Sequence, residues 1–474
     1  MMKTVVSNYI TIYEPDGDLL EWCENNLTMH NPKYYSLKNL GFSTYGVPKT
    51  LQLFEYSRTN NVLRVPYGLL RYIYQKAKYG EVILDFAKDE DVSVDFGCNA
   101  SDFGLYDYQA IAVEELKKKK MGVLRSKAGS GKTQMGIALI TELGRKALWI
   151  THTKELLKQS KDRAARYIDE SMLGTITEGK VNIGSGITFA TVQTLANLNL
   201  SDLRKEWDCI IVDECHRVAG SPEQLMQFSY VLSSLAAKHK YGLSATLHRS
   251  DGMTKTIFAY IGPVAYDVPE EAVKDKIMDV DITPKQIHLQ LPNSCFRRNG
   301  NANYVKVTDY IIKDINRNNQ IVSDLIDSAN HYNLILSTRL EHLEILMNSM
   351  PESLADKCVM IYGGTTTKAE KAAREAAIES VRSGEKKYLF ATYQLAKEGL
   401  DIPRLDRLFL TVPQSDYSVI IQSVGRIART FAGKEPPIAY DYVDDDPYLI
   451  KKFNRRCMHY DNYGYNVTNR SLTA

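Results

Sequence analysis

The sequence lacks long apolar runs, paired cysteines and a large excess of either charge. No apolar run approaches the roughly 18 residues of a membrane span, and the polar N-terminus does not resemble a signal peptide, so we expect neither membrane insertion nor secretion. None of the seven cysteines forms a Cys-x-x-Cys pair, which argues against zinc and disulfides and for a reducing cytoplasm. The net charge is only +2, so any nucleic-acid-binding surface must be local.

Short apolar runs that alternate with helical patterns are abundant in this chain. Nearly continuous apolar runs are typical of parallel strands covered on both faces, and their alternation with helices predicts doubly wound α/β sheets. Two such series are present. The first predicts strands at 122–126, 147–151, 187–191, 209–213 and 241–245, and the second predicts strands at 333–338, 357–363, 387–392, 407–412 and 437–443.

The two series divide the 474 residues into four regions. We predict a small N-terminal α+β or β-rich domain at 1–100, a first α/β lobe at 101–270, a second lobe at 283–446 and a C-terminal tail at 447–474. Residues 262–286 are rich in proline and charge and are expected to link the lobes. Basic and aromatic residues in 64–80 make the N-terminal domain a candidate for DNA binding.

The stretch "SKAGSGKTQM" (126–135) follows the first predicted strand and opens a helix. Small residues let the backbone approach a ligand closely, and a helix N-terminus attracts anions. We expect a phosphate loop formed by Gly129, Ser130, Gly131, Lys132 and Thr133. Lys132 would meet the β- and γ-phosphates of ATP, and the Thr133 hydroxyl would hold Mg²⁺. The strict motif has glycine where this chain has Ser126, and a purely structural turn is the alternative.

The stretch "DCIIVDECHR" (208–217) delivers two adjacent carboxylates to the end of a buried strand. Ligands bind at this edge of open α/β sheets. We therefore expect Asp213 to hold Mg²⁺ and Glu214 to activate the water that attacks the γ-phosphate. An exposed acidic strand end is the alternative, and it loses weight because a phosphate loop precedes it by roughly 80 residues in the same series.

The stretch "QSVGRIAR" (422–429) is the candidate catalytic element of the second lobe. Its Gln422, Gly425, Arg426 and Arg429 recur at three- and four-residue spacing, so on a helix they would share one face. The second series has no phosphate loop of its own. Its arginines are therefore expected to reach the γ-phosphate held by the first lobe, and ordinary surface ion pairs are the alternative.

These motifs together resemble those of superfamily 2 helicases. The segments "AGSGKT", "DECH", "LSAT" (243–246) and "QSVGRIAR" occur in the order and spacing of that family, over residues 105–445. The stretch "GLSATLHRSDG" (242–252) is similar to the branch that contains XPB-type and phage UvsW-like DNA helicases, and "RVPYGLLRYI" (64–73) is similar to a segment before the motor in that branch. The resemblance implies two RecA-like lobes that close on ATP and Mg²⁺.

The resemblance also implies roles for individual residues. Gln109 of "LYDYQ" would read adenine, and Gly399 and Asp401 would bridge nucleotide and DNA, with Gln422 also at the nucleotide. His216, Ser244 and Thr246 would couple hydrolysis to lobe movement. Hydroxyls, amides and backbone N–H groups grip phosphates without reading sequence. The residues expected to contact DNA are Thr151, Thr153, Lys154, Thr191, Gln193, Thr194, Ser337, Arg339, Gly363 and Thr392.

The resulting hypothesis is a monomeric, ATP-dependent DNA helicase or translocase that acts on branched or forked DNA. It would work in the cytoplasm, in the host cytoplasm if the chain is of phage origin. An RNA helicase shares the same motor and is one alternative, and a DNA-translocating motor subunit of a restriction system is another. A catalytically inactive nucleic-acid clamp is a third, against which Lys132, Asp213, Glu214, Arg426 and Arg429 argue.

Overall fold

The structure is a computed structural model. It describes residues 3–39, 41–76, 80–86, 93–177, 179–219, 222–245, 247, 253–273, 277–297, 300–363, 367–397, 400 and 402–468. The chain divides into two compact units, of which the first comprises residues 1–127 and 131–272 and the second comprises residues 128–130 and 273–474.

The N-terminal part of the first unit is an α+β domain. Its main sheet has the order β5-β6-β2-β1-β7, in which β7 is parallel to β1 and the other pairs are antiparallel. Strands β3 and β4 form a separate ladder. The elements are β1 (Lys3–Val6), β2 (Tyr9–Tyr13), α1 (Gly17–Leu27), β3 (Thr28–His30), α2 (Pro32–Asn39), β4 (Thr50–Gln52), β5 (Glu55–Ser57), β6 (Val62–Pro66), α3 (Leu70–Lys76) and β7 (Val82–Leu84).

This N-terminal domain packs closely on the lobe that follows it. Ala259 of the lobe is fully buried in the N-terminal hydrophobic core. A Cβ on Gly68 would lie 2.6 Å from the carbonyl oxygen of Ala259, so only glycine permits this approach. The Tyr67 hydroxyl also donates to the carbonyl of Lys238 at 2.9 Å. The two parts therefore share a core.

The rest of the first unit is a doubly wound lobe. Its sheet order is β11-β10-β12-β9-β13-β14-β8-β15, parallel except for β11. The elements are α4 (Asp107–Lys117), β8 (Met121–Arg125), α5 (Lys132–Leu143), β9 (Ala147–Thr151), α6 (Lys154–Ala164), β10 (Leu173–Thr177), β11 (Lys180–Asn182), β12 (Ile187–Thr191), α7 (Val192–Ala196), β13 (Cys209–Asp213), α8 (Pro222–Ser234), β14 (His239–Ser244), α9 (Thr254–Ile261), β15 (Val264–Asp267) and α10 (Glu270–Val273).

The second unit is another parallel sheet with helices. Its strand order is β18-β19-β17-β20-β21-β16-β22. The elements are β16 (Asp281–Ile287), α11 (Tyr304–Ile311), α12 (Ile315–Asp327), β17 (Asn333–Ser337), α13 (Leu340–Asn348), α14 (Glu352–Ala355), β18 (Cys358–Ile361), α15 (Lys368–Ser383), β19 (Tyr388–Thr392), α16 (Tyr393–Lys397), β20 (Arg407–Leu410), α17 (Tyr417–Val424), β21 (Ile438–Asp444), α18 (Pro447–Tyr463) and β22 (Asn466–Val467).

The predicted fold class is confirmed, and the ten predicted strands are present to within two residues at each end. The linker prediction at 262–286 was wrong in part, because β15 belongs to the first sheet and β16 to the second. Strand β16 was not predicted because it contains Pro284, and proline is disfavoured inside a sheet. The short strand β22 pairs only with Asp281 and Ile282, so Pro284 needs no partner on that side.

The segment predicted to be a C-terminal tail folds as part of the second unit. Helix α18 buries Leu449, Phe453, Arg456 and Tyr460, which recur every three or four residues. The Arg456 guanidinium makes two hydrogen bonds of 2.8 and 2.7 Å to Asp441 on β21. This bidentate pair is buried and anchors the helix to the sheet.

Candidate functional site

The predicted phosphate loop joins β8 to α5. Gly129 and Gly131 have φ of +86° and +82°, a left-handed conformation that favours glycine. Gly131 is the N-cap of α5, and Lys132 is its first residue. The buried Lys132 ammonium donates long hydrogen bonds to the carbonyls of Ser126 at 3.3 Å and Lys127 at 3.4 Å. The loop thus curls around the lysine, as an anion cradle requires. Thr133 follows in the first turn of α5.

Ser126 is the one departure from the strict phosphate-loop motif, and its backbone explains why serine is tolerated. Its φ is not in the left-handed region, so the position makes no conformational demand for glycine. Its N–H donates to the carbonyl of Ser244 at 3.1 Å, which extends the pairing of β8 with β14. Ser126 therefore acts as a continuation of the strand.

Gln109 lies directly on the phosphate loop. A Cβ built on Gly131 would overlap its Nε2. The Gln109 Oε1 accepts a hydrogen bond of 3.0 Å from the backbone N–H of Tyr106, which closes the first turn of α4. This buried amide is fixed beside the loop.

Strand β13 carries the two adjacent carboxylates. All five residues of β13 are buried, and Asp213 is its last residue. Glu214 has a φ of +48°, one of three non-glycine residues in this region among those described. Its backbone N–H donates to Asp213 Oδ1 at 2.9 Å. Such strain costs energy and is common at functional sites. The positive φ turns the backbone at Glu214 away from the direction of β13.

The two carboxylates have opposite pKa shifts. Burial raises the pKa of Asp213 to about 7, and repulsion by Glu214 adds to the rise. Burial also opposes ionisation of Glu214, but the positive charges of Lys132 and His216 prevail and lower its pKa. Glu214 is therefore ionised at neutral pH, the state that a general base needs.

His216 joins Glu214 to Ser244. Its Nδ1 lies 3.2 Å from Glu214 Oε2 and 3.2 Å from Ser244 Oγ, and the ring is buried. Ser244 ends β14, next to β13. A single N–H at Nδ1 can be given to only one of these two oxygens. The three residues therefore form a contact through which a change at Glu214 can reach the segment after β14.

Two further residues of this site were missed by the sequence analysis. The buried Ser160 of α6 hydrogen-bonds the Asp213 carboxylate through its side chain. His152, after β9, contributes positive charge that lowers the pKa of Glu214. A lone serine in a helix carries no motif, so no signal could have found Ser160. His152 lies inside "THTKEL", and that neighbourhood was the available signal.

The nucleic-acid residues predicted in the first lobe lie at one sheet edge. Strands β9 and β12 are paired with Thr151 opposite Thr191, so the segments that follow them are neighbours. The Gln193 amide donates to the carbonyl of His152 at 3.1 Å and joins these segments.

The threonine hydroxyls at this edge serve mainly as internal partners. The buried Thr151 donates to the carbonyl of Thr153 at 3.0 Å, and Thr153 caps α6. Thr191 caps α7 and shares a 2.9 Å hydrogen bond with the hydroxyl of Thr194. Lys154 is exposed at the start of α6. The backbone and Lys154 are therefore better placed than Thr151 for contact with a bound strand.

The nucleic-acid residues predicted in the second lobe also share a sheet edge. Ser337 and Thr392 are paired at the ends of β17 and β19, and the exposed Gly363 follows the neighbouring β18. The Ser337 side chain is 0 % exposed and bonded to His342 Nδ1 at 3.1 Å, so its hydroxyl orients the loop rather than facing outward. Arg339 is partly exposed and paired with Asp309 at 3.3 Å.

The helical prediction for the arginine segment was only partly right. Helix α17 ends at Val424, and Gly425 to Arg429 follow it. The N–H groups of Arg426 and Ile427 donate to the carbonyls of Ser423 and Val424, which tightens the chain into turns. The four predicted residues therefore do not share one helical face.

The two arginines of this segment differ in their surroundings. Arg426 Nε donates to the carbonyl of Ala396 at 2.6 Å, and its Nη1 donates to that of Leu400 at 3.2 Å. Arg429 forms an isolated antiparallel bridge with Ile277. Gln422 is buried in α17, and its Oε1 has no hydrogen-bond partner among the described residues. Thr246, Gly399 and Asp401 lie outside the described residues.

The residues of the first lobe fit a nucleoside triphosphate with Mg²⁺. Left-handed glycines shape an anion cradle, a buried lysine enters it, and two carboxylates interact electrostatically with that lysine. A hard cation such as Mg²⁺ prefers oxygen ligands, which Thr133 and Asp213 provide.

Two family profiles match this chain. Residues 102–249 match the type III restriction enzyme, res subunit family, and residues 317–431 match the helicase conserved C-terminal domain. The first match contains the phosphate loop and the acidic pair, and the second contains the arginine segment. Together they span more than half of the chain.

Several curated proteins are similar in sequence. A putative ATP-dependent RNA helicase of Acanthamoeba polyphaga mimivirus is 28% identical over 73% of this chain and 64% of its own length, so the chain spans just under two thirds of that relative. A probable helicase of Escherichia phage T5 is 24% identical over 98% of this chain and 95% of its own. The DNA 3'-5' translocase XPB2 of Sulfurisphaera tokodaii is 23% identical over 77% of this chain and 88% of its own.

A solved structure supports the fold. Dbp5 of S. cerevisiae, bound to RNA and ADP BeF3, covers 78% of this chain and 95% of its own at 16% identity, with a TM-score of 0.52. In the described part of the chain, no helix is both long enough and apolar enough to span a membrane.

Proposed function

This chain belongs to the superfamily 2 helicases, and we propose that it is an ATP-driven motor that acts on branched or forked DNA. The observation that carries the motor role is the convergence of Lys132, Asp213 and Glu214 at the end of β13. ATP bound with Mg²⁺ would supply the free energy for movement.

Each residue of this cluster has a separate role in the proposal. Lys132 would neutralise charge on the phosphates, and Thr133 and Asp213 would hold Mg²⁺. Glu214 would accept a proton from the attacking water, since its pKa is lowered and it is ionised at neutral pH. His216 would pass the change at Glu214 to Ser244, which it contacts at 3.2 Å. Gln109 would read adenine from its place on the phosphate loop.

The second lobe would complete catalysis through its arginines. A planar guanidinium suits the charge that spreads over a phosphoryl group during transfer. We assign this role to Arg429, together with Arg426, whose bonds to Ala396 and Leu400 would also orient the segment around Gly399 and Asp401. Gln422 brings a buried amide oxygen to the same element.

Nucleic acid would bind along the sheet edges of both lobes. Residues after β9 and β12 in one lobe, and after β17, β18 and β19 in the other, would offer backbone N–H groups and the Lys154 ammonium. Such groups hold the sugar–phosphate backbone without reading sequence. The partly exposed Arg339 would add a guanidinium, in exchange for its pairing with Asp309.

The N-terminal domain supports a branched substrate. No acidic residue occurs between Asn25 and Phe54, whereas Lys33, Lys38 and Lys49 lie in that range. The same stretch exposes aromatic rings, and Tyr45 is 97% exposed. Lysines with exposed aromatic rings suit phosphate contact and base stacking. This stretch would add affinity for a junction beside the motor.

The proposal is tested by measuring ATP turnover with a four-way junction, a fork, linear duplex, single-stranded DNA and an RNA duplex. We expect the junction or fork to stimulate turnover most. We also expect a labelled junction to be unwound or branch-migrated only when hydrolysable ATP is present. The Glu214→Gln variant is the control for contaminating enzymes. Equal or greater stimulation by the RNA duplex would contradict the DNA assignment and favour an RNA helicase.

A further inference from the structure

The carbonyl groups of the arginine segment converge on one lysine. Lys434 Nζ donates to the carbonyl oxygens of Ile427 and Arg429, each at 2.7 Å. It also donates to the carbonyl of Pro403 at 2.9 Å. A lysine ammonium has three N–H donors, and here each has a backbone acceptor. Four residues lie between Arg429 and Lys434, so the chain folds back to make these bonds.

The carbonyl of Ala428, between those of Ile427 and Arg429, is bonded by a different residue. Ala428 accepts a hydrogen bond of 2.7 Å from the N–H of Met278, in the segment that leads into β16. The carbonyls of Ile427, Ala428 and Arg429 are thus all bonded, and Lys434 provides two of the three bonds. Because the chain has left α17 at Val424, these bonds replace the helical ladder that would otherwise fix the backbone.

Lys434 also ties this turn to a second functional segment. Pro403 follows Ile402, directly after the stretch that contains Gly399 and Asp401. Arg426 reaches the front of the same stretch through Ala396 and Leu400. The arginine turn is therefore hydrogen-bonded to Ala396, Leu400 and Pro403, which lie close to Gly399 and Asp401 in the sequence. The surrounding charges are mixed, since burial and Arg429 lower the pKa of Lys434 to about 8 while Asp406 opposes the shift.

We infer that Lys434 is a positioning residue for catalysis, whose ammonium holds the backbone of the arginine turn so that Arg429 presents its side chain in the orientation that hydrolysis needs. This inference rests on the proposed role of Arg429. It assigns Lys434 no contact with nucleotide. Loss of Lys434 should therefore lower turnover and leave nucleotide affinity nearly unchanged.

The test compares Lys434→Met with Lys434→Arg and with a matched control, Lys387→Met. Lys387 also donates to a backbone carbonyl of the second unit, that of Ala329 at 3.0 Å, but it lies directly before β19, away from the arginine turn in the sequence. For each variant, kcat with saturating forked DNA, the Kd of a fluorescent ATP analogue and the melting temperature are measured. A misplaced catalytic group can cost on the order of 10- to 100-fold in rate.

We expect Lys434→Met to reduce kcat by at least about tenfold with a Kd within about twofold of wild type. Lys434→Arg should be intermediate, because a guanidinium keeps the charge but presents its donors in a planar fork. Lys387→Met should keep wild-type kcat even if its melting temperature falls. A wild-type kcat for Lys434→Met would overturn the inference. If that variant does not fold, a wild-type kcat for Lys434→Arg would overturn it.

Arg429→Ala, measured in parallel, separates this inference from the proposed function. If Arg429→Ala loses turnover and Lys434→Met does not, only the positioning role fails. If Arg429→Ala keeps turnover, the arginine assignment itself fails. In the Arg429→Ala background, Lys434→Met should reduce kcat no further, because the group that it positions is already absent.

Discussion

Gly131 and Gln109 are in such close contact that a single methyl group on the glycine would overlap the amide nitrogen of the glutamine. The residue expected to read adenine and the loop expected to hold phosphate are therefore one packed unit. Gly131 also has a φ of +82°, where any other residue is strained. Two independent constraints thus keep this position as glycine.

Gly131→Ala should therefore weaken nucleotide binding strongly. The matched control is Gly144→Ala at the other end of α5, which also has a left-handed φ, of +58°, but has its nearest neighbour to a new Cβ at 3.6 Å. Both variants should lose stability by about 1–2 kcal/mol from backbone strain. Only Gly131→Ala should raise the Kd for ATP, measured by isothermal titration. An equal Kd for ATP in the two variants would contradict the assignment of this loop to nucleotide binding.

Lys132→Ala and Glu214→Gln should both abolish ATP turnover, for different reasons. The first removes the charge that meets the phosphates, so ATP affinity should fall as well. The second keeps the shape of the side chain and removes the base, so ATP should still bind. Turnover and ATP Kd are measured for each. The control is Glu206→Gln, a partly exposed glutamate of the same lobe that pairs with Lys146. Near wild-type turnover in Glu214→Gln would exclude Glu214 as the general base.

The sequence was sufficient for ten of the strands in the two lobes and for the position of the acidic pair at the end of β13, because buried parallel strands are continuous apolar runs. The run in β13 leads straight to Asp213, and the structure places Lys132 near enough to influence its pKa. Strand β16 and helix α18 were not predicted, because neither has a continuous apolar run. Strand β16 contains Pro284 and three charged or amide side chains, and α18 was hidden by a run of lysines and arginines.

Side-chain direction was the other limit of the sequence. Ser337 belongs to a segment with the expected spacing, yet its hydroxyl turns inward to His342. The direction of the Ser337 side chain depends on His342, five residues later in α13. The periodicity of the sequence does not show that this histidine faces the serine. The same holds for Arg426, whose partners Ala396 and Leu400 are backbone carbonyls and leave no trace in the sequence.

Arg429→Ala and Arg426→Ala should each reduce kcat far more than ATP affinity, on the order of 10³-fold or more for a true arginine finger. Their effects on stability should differ. Arg426→Ala leaves the carbonyls of Ala396 and Leu400 without this donor, so its melting temperature should also fall. Lysine should rescue Arg429 poorly, since it lacks the planar fork. Near-normal kcat in both alanine variants would leave these arginines as ordinary structural residues.

Removal of the first 100 residues should abolish junction processing and also destabilise the first lobe. The second effect follows from the shared core, because Ala259 would lose its covering side chains and Lys238 its bond to Tyr67. A gentler variant replaces Lys33, Lys38 and Lys49 with glutamine and leaves the core intact. It should weaken junction binding and reduce its salt dependence. Full junction activity in this variant would show that the N-terminal lysines do not bind DNA.

The stability of the first unit should rise with pH between about 7 and 8.5 because of Lys240. This side chain is buried in β14, where its Nζ donates to the carbonyl of Leu232 at 2.8 Å, and burial lowers its pKa from 10.5 to about 7. Between these two values the unfolded chain binds a proton that the folded chain does not, so the free energy of unfolding increases with pH. Below pH 7 both states are protonated and the penalty is complete.

Lys240→Met tests this directly, since it removes the titrating group and keeps the apolar stem. The free energy of unfolding should be nearly constant from about pH 7 to 8.5 in the variant, whereas in wild type it should rise. Measurement stops there because the buried thiols of Cys23, Cys209 and Cys215 have raised pKa values, and their titration in the unfolded chain would lower the free energy of unfolding at higher pH. Urea denaturation followed by tryptophan fluorescence isolates the first unit, because Trp22, Trp149 and Trp207 all lie there. Burial lowers the pKa of the neighbouring His239 to about 4, so its titration increases the free energy of unfolding only between pH 4 and 6.5. It therefore does not affect the profile above pH 7. A wild-type profile that is already flat above pH 7 would mean that Lys240 stays charged in the folded protein.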